Sequence, residues 1–269
     1  RSFESTRDEK IDSSRELVLS SFKAAENKNK YEYMHGNPRA TSEYIYHNQK
    51  EDATKICEKF IKSPIRAISI LKRTKVGMDG LMIYLAILMC THPNNDFVLD
   101  INNILFITGM SNKSWETDMK DKIPECFVKN VFHHGKLQKL ELILKDIKDA
   151  LIIVDEIDSG DKETQRLHLM LKEGKILDMK YMEEKNIRLV FVSATSIIQL
   201  KELYKWGDKH STIRMSIPED YIGHKEFLKR GIIKEYYKVN DDESANKWIT
   251  EDIIQNYNTV LYNKNIIEK

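Results

Sequence analysis

The chain lacks paired cysteines. Its three, Cys57, Cys90 and Cys126, stand too far apart for any Cys-x-x-Cys ligand pair and are too few for a disulfide scaffold, which excludes a zinc ribbon and a small stapled domain. Cys57 and Cys90 fall in apolar helical contexts, where a reduced cysteine behaves as a small hydrophobe, so a reducing intracellular compartment, cytoplasm or nucleus, is expected. Charge of one sign is lacking too: 43 Lys plus Arg against 42 Asp plus Glu leave a net +1. That excludes a protein coating nucleic acid through bulk positive charge, and any nucleic-acid surface must be local. The apolar run Leu81 to Cys90 is too short to span a bilayer, so no membrane partner is expected. There is no internal repeat. No secretory leader is visible and the chain begins at Arg1 rather than Met, so a piece of a longer protein is expected. The abundance of Asn, Lys and Ile suits an AT-rich genome, microbial or viral.

What is present centres on Ala150-Leu151-Ile152-Ile153-Val154-Asp155-Glu156-Ile157-Asp158. Apolar residues end abruptly in adjacent carboxylates. An unbroken apolar run rich in β-branched residues suits a central parallel strand covered on both faces. In open α/β sheets ligands gather beyond the carboxyl ends of the strands, which places Asp155 and Glu156 at a site. Nucleotide hydrolysis needs one acid to hold magnesium and another to orient water, and Asp155 and Glu156 suit those roles in that order. A strand that simply ends at the surface gives the same pattern.

A second apolar run, Arg188-Leu189-Val190-Phe191-Val192, ends in Ser193-Ala194-Thr195. Together the two stretches resemble motif II, of the Asp-Glu-x-Asp kind, and motif III, Ser-Ala-Thr, of superfamily 2 helicases and translocases. The resemblance implies ATP and magnesium as cofactors, Asp155 as the metal-holding acid and Glu156 as the water-orienting one. It also implies that Ser193, Ala194 and Thr195 couple nucleotide state to movement on DNA or RNA.

The same family carries a phosphate-binding loop between a strand and a helix. Arg66 to Leu71, then Thr74-Lys75-Val76-Gly77-Met78-Asp79-Gly80, then Leu81 to Cys90 supply that order. Such a loop turns backbone N–H groups toward the phosphates, with a Lys on the phosphates and a hydroxyl on magnesium. Aligned on Gly77, Met78 stands where the Lys belongs and Asp79 where the hydroxyl belongs, so ATP binding is expected to be weakened. Thr74, Gly77, Met78, Asp79 and Gly80 form the expected cradle, and Lys72, Arg73 and Lys75 are either a rescue for the missing charge or a solvated rim. Gln49, on a helix ahead of the loop, resembles the adenine-reading Gln of the family; its donor and acceptor suit an adenine edge.

The strand Ile104 to Thr108 corresponds in order to the one carrying motif Ia, which implies that Thr108, Ser111, Asn112 and Lys113 line a nucleic-acid surface. A plain strand–turn–helix connection is the alternative. Trp115 also has two readings, base stacking or packing on the sheet. Leu137, Leu140, Leu144, Ile147 and Leu151 recur at helical spacing and read as core. His133-His134 has no neighbour at metal-ligand spacing and reads as a loop pair.

The expected fold is therefore α/β: a RecA-like P-loop NTPase three-layer sandwich with a mainly parallel central sheet. Ile68 to Leu71, Ile104 to Thr108, Leu151 to Val154 and Leu189 to Val192 should be neighbouring strands with their carboxyl ends on one side. Residues 1–45 read as a polar arm with a short helix around Leu17, Leu19 and Phe22. Residues 46–216 read as the motor lobe, and 217–269 as a C-terminal extension or the start of a second domain. A complete motor needs a second RecA-like lobe, in the same full-length chain or a partner subunit, because about fifty residues cannot build one. A catalytically inactive module for nucleic-acid binding or assembly is the other function class.

Overall fold

The computed structural model describes residues 2–73, 76–108, 114–133, 137–157, 166–194, 205–218, 221, 223–230 and 239–254. Six strands form one sheet: β1 Ala67–Leu71, β2 Ile104–Thr108, β3 Val131–His133, β4 Ala150–Asp155, β5 Ile187–Ser193 and β6 His210–Arg214. Their order is β3-β2-β4-β5-β1-β6, and every pairing is parallel. The four strands expected from apolar runs are contiguous as β2-β4-β5-β1, an arrangement compatible with a RecA-like three-layer sandwich. Parallel strands need helical crossovers that cover both sheet faces, which is why the inner strands read as unbroken apolar runs. All residues of β2, β4 and β5 are buried.

Two strands were not expected. Val131–His133 is only three residues long, so His133 is a buried strand residue, not part of a loop; His134 lies outside the described residues. His210–Arg214 is polar and partly exposed because it is an edge strand, paired only with β1 among the described residues. An edge strand needs no continuous apolar run, so its hydropathy carries no signal.

Side chains alternate across each strand. On one face Leu105, Ile107, Ile152, Val154, Leu189 and Phe191 belong to a single core with residues of three helices. These are α5 (Leu137–Asp146), α6 (Arg166–Glu173) and α7 (Met179–Glu184). The alternate residues Ile68, Ile70, Phe106, Ile153 and Val190 are fully buried as well, so the opposite face is covered. Phe106 meets Phe127 there, ring centroids 6.0 Å apart. Helix α3 (Met78–Cys90) is apolar on nearly every side and packs against α1 (Ser2–Met34) and α2 (His47–Lys62). A helix buried all round belongs beneath a second layer, and α1 and α2 provide it.

The first 45 residues are not a loose arm. α1 runs for 33 residues, and Val18 is its fully buried contact, while Leu17 and Leu19 are exposed. The Arg15 guanidinium donates to Asn95 Oδ1 at 2.6 Å and to the His92 carbonyl, and Cys126 N–H donates to Ser21 Oγ at 3.1 Å. Charged and polar pins add to a short apolar contact in which Phe22 packs against Tyr44 and Tyr84.

Buried Asp52 ties α2 to the segment after β6. Its carboxylate accepts from Ser216 N–H at 2.6 Å and from Ser216 Oγ at 2.8 Å, with Lys55 Nζ at 3.2 Å. Asp52→Ala should lower unfolding free energy by about 2–3 kcal/mol, since it strands a backbone donor and removes hydrogen bonds to a charged acceptor. A urea titration tests this; a loss below about 0.5 kcal/mol would show that water replaces the carboxylate without cost.

The chain divides into two compact units, Arg1–Glu219 and Asp220–Lys269. In the second, a helix at His224–Lys229 and another at Asp242–Lys247 are described, the latter capped by Asp241, whose carboxylate accepts from Ser244 N–H at 2.8 Å. Residues 231–238, within the stretch expected to begin a further folded unit, lie outside the described residues. No described helix is long and apolar enough to cross a membrane.

Candidate functional site at the carboxyl edge of the sheet

The pairing register brings the ends of four strands together: Leu71 lies beside Ser193, and Thr108 beside Asp155. Lys72, the first residue beyond β1, donates its backbone N–H to the Ser193 carbonyl at 2.9 Å, continuing the ladder one step past the strand. Its side chain then spans the sheet edge to the acids. Lys72 Nζ is 2.8 Å from Asp155 Oδ1 and 2.9 Å from Glu156 Oε1.

Asp155 is held from further directions. Trp115 Nε1, on α4 (Ser114–Lys122), donates to its Oδ2 at 3.1 Å, and Glu156 N–H donates to Oδ1 at 3.0 Å. Glu156 has φ +52°, a left-handed conformation that costs a side-chain-bearing residue about 1 kcal/mol. β4 ends in this turn, and the Glu156 carboxylate meets the same ammonium as its neighbour. Burial pushes the Asp155 carboxyl above the usual carboxylate value, while Lys72 pulls it down. Burial also works against the Lys72 charge, but the two carboxylates outweigh it and raise the lysine above its ordinary value.

The phosphate-loop region adjoins this edge in sequence. Gly77 caps α3 with φ +79°, and Met78 and Asp79 enter the first turn. Met78 is buried, so a lysine there would be carried into the core and not toward a phosphate. Asp79 is ion-paired with Lys122 of α4 at 2.5 Å, which offsets the negative charge that the sequence alone leaves unbalanced. Gln49 is 3% exposed, and both ends of its amide are engaged: Nε2 donates to the Gly77 carbonyl and Oε1 accepts from Tyr46 N–H at 2.8 Å. The amide packs against the first turn of α3, where a Cβ on Gly80 would sit 2.1 Å from Gln49 Oε1. A cavity of about 320 Å³ opens beside this turn, lined by Asn29, Tyr44, Gln49, Gly77, Gly80 and Lys120 among others.

The remaining expected residues separate. Ser193 is fully buried in β5, with Ala194 exposed just beyond it; Thr195 lies outside the described residues. Thr108 is fully buried and faces no open surface. Ser111, Asn112, Lys113 and Thr74 lie outside the described residues. Trp115 is half-buried, and its indole N–H is spent on an acid, a role that neither base stacking nor sheet packing anticipates. Lys72 was legible only as part of a basic cluster, because nothing in its immediate neighbours marks the acids it meets 83 residues later.

Among the described residues no group of three or more His, Cys, Asp or Glu converges on a metal position. The donor set nonetheless suits a hard cation: two adjacent carboxylates already point oxygens at one positive centre, the Lys72 ammonium. Asp155 is the residue that would hold magnesium, with Glu156 beside it. The chain matches no family model and no curated protein.

Proposed function

We propose that this chain is a motor lobe of the superfamily 2 helicase and translocase kind, acting on DNA or RNA through ATP, with Asp155 holding magnesium and Glu156 orienting the attacking water. The observation that supports it most is the order of β1, β5 and β4. The strand ending in Ser193 lies between the strand feeding the glycine loop and the strand delivering the acids. A shift at the β1 exit is felt directly by β5, because Lys72 N–H is bonded to the Ser193 carbonyl. That bond gives Ser193-Ala194-Thr195 a physical route for coupling. Bound magnesium would supply charge neutralisation for phosphate oxygens, and Glu156 would hold a water by hydrogen bonding.

The second reading is a module of the same fold that binds nucleic acid or assembles with a partner without hydrolysis. The buried Met78, the Asp79–Lys122 pair and the engaged Gln49 amide favour it. A titration of ATP into the full chain with and without magnesium, followed by hydrolysis assays with DNA and with RNA, separates the two. The motor reading expects magnesium-dependent binding and nucleic-acid-stimulated turnover, alone or with a second RecA-like lobe from the same protein or a partner. Absence of both overturns it. Salt-dependent nucleic-acid binding would then uphold the module.

A further inference from the structure

Three of the four carboxylate oxygens of the acidic pair have a donor among the described residues. Asp155 Oδ1 receives Lys72 Nζ at 2.8 Å and Glu156 N–H at 3.0 Å, Oδ2 receives Trp115 Nε1 at 3.1 Å, and Glu156 Oε1 receives the same ammonium at 2.9 Å. The lysine is not a surface side chain that happens to lie near: its side chain is 11% exposed, Asp155's is 5%, and burial strengthens a charge pair that bulk water would dissolve. The bond from its backbone N–H to the Ser193 carbonyl anchors it at the strand edge, so the ammonium stays within side-chain reach of the acids. A buried carboxylate, Asp155, with the partly exposed Glu156 carboxylate beside it favours a cation, and the chain supplies its own.

We propose that Lys72 is a tethered counter-ion occupying the divalent-cation position between Asp155 and Glu156, so that a divalent ion enters only when the ammonium is drawn away. This rests on the reading of Asp155 as the magnesium-holding acid, with Glu156 beside it. An ammonium leaving two carboxylates needs another anionic partner, and polyphosphate bound at the neighbouring loop is the chemistry that provides one. Metal binding therefore becomes conditional on a phosphate ligand, and the site avoids holding a free divalent ion at rest. The device also accounts for Met78 standing where the family's loop has its lysine: the cation is Lys72, one residue past β1, instead of a residue on the first turn of α3.

The test is Mn²⁺ binding, followed by paramagnetic resonance, on the wild-type chain and on Lys72→Met, which keeps the aliphatic stem and removes the charge. Without nucleotide, Lys72→Met should bind Mn²⁺ roughly tenfold or more tightly than wild type, because the ion no longer competes with a fixed charge. Its melting temperature should fall by about 5 °C in chelator and recover in millimolar Mn²⁺, while the wild type does not respond. Adding Asp155→Asn to Lys72→Met should abolish the recovery, because the ion would lose its anionic partner. Equal Mn²⁺ affinity in the two proteins, or tight wild-type binding without nucleotide, overturns the proposal. Should Lys72→Met not fold, the wild type decides alone: weak Mn²⁺ binding that tightens about tenfold with added tripolyphosphate, counted as protein-bound Mn²⁺ after equilibrium dialysis against the same Mn²⁺–tripolyphosphate mixture, upholds the device, and no change refutes it. Failure of the motor reading shows differently, as loss of nucleic-acid-stimulated hydrolysis with the metal competition intact.

Discussion

Glu156→Gln is expected to lower nucleic-acid-stimulated ATP hydrolysis by about 100-fold or more while leaving magnesium-dependent ATP binding within about twofold, since general-base assistance contributes on that scale. The amide keeps the size and planarity of the carboxylate, and its oxygen can still accept from Lys72 Nζ, now 2.9 Å from Oε1. What it loses is the charge and the second strong acceptor that orient a water. Because Glu156 adopts φ +52° as the last turn of β4, an isosteric side chain leaves that backbone unchanged. Asp155→Asn should behave differently, weakening the magnesium-dependent part of binding, because the ion would lose an anionic partner. Turnover of Glu156→Gln within about threefold of wild type would remove Glu156 from the chemistry.

Gly80→Ala should destabilise the fold by about 2 kcal/mol, opposite in sign to the gain of up to about 1 kcal/mol that the same change gives inside an ordinary helix. The added Cβ would lie 2.1 Å from Gln49 Oε1 and 2.6 Å from its Cδ, so the amide must leave. Its departure strands Tyr46 N–H and takes one donor from the Gly77 carbonyl, the two groups it joins. The adjoining cavity gives the displaced side chain somewhere to go, which limits the cost to those bonds and avoids rearranging α3. Gln49→Ala alone should cost a similar amount, and the double variant should cost no more than either single one, because both remove the same contact. Denaturant unfolding of the four proteins closes the cycle. Additive losses would mean that Gly80 is constrained by something other than Gln49.

Much of the sheet is legible in the sequence because its inner strands are covered on both faces and cannot hide their apolar runs. β1, β2, β4 and β5 are of this kind, and their carboxyl ends meet as expected. The edges are another matter. His210–Arg214 pairs through its backbone while its side chains remain partly exposed, so composition says nothing about it. α1 docks through Val18 and Phe22 and through hydrogen bonds from Arg15, so its apolar period is short and the rest of its contact face is polar. At the site, Asp155 and Glu156 announce themselves by ending an apolar run. Lys72 and Trp115 do not, since their significance lies in whom they meet across the fold, 83 and 40 residues away. Met78 and Asp79 illustrate the converse: alignment assigns them to phosphate, whereas packing sends one inward and pairs the other with Lys122.

The position of β1 has a consequence for how this chain comes off the ribosome. It lies between β5 and β6, with Ala67 opposite Leu189 on one side and opposite His210 on the other. Neither neighbour exists until more than a hundred residues after β1 have been made. Synthesis proceeds at roughly 5–20 residues per second, so β1 waits several seconds without the strands it is built to pair with, although α1 and α2, which cover the helix that follows it, are already made. Pairings this distant in sequence also form late after release from denaturant, because the intervening loop must close before any contact rewards it. A nascent chain stopped before Ile187 is therefore a species with an unpaired central strand, the kind that chaperones hold and that other chains extend by edge pairing.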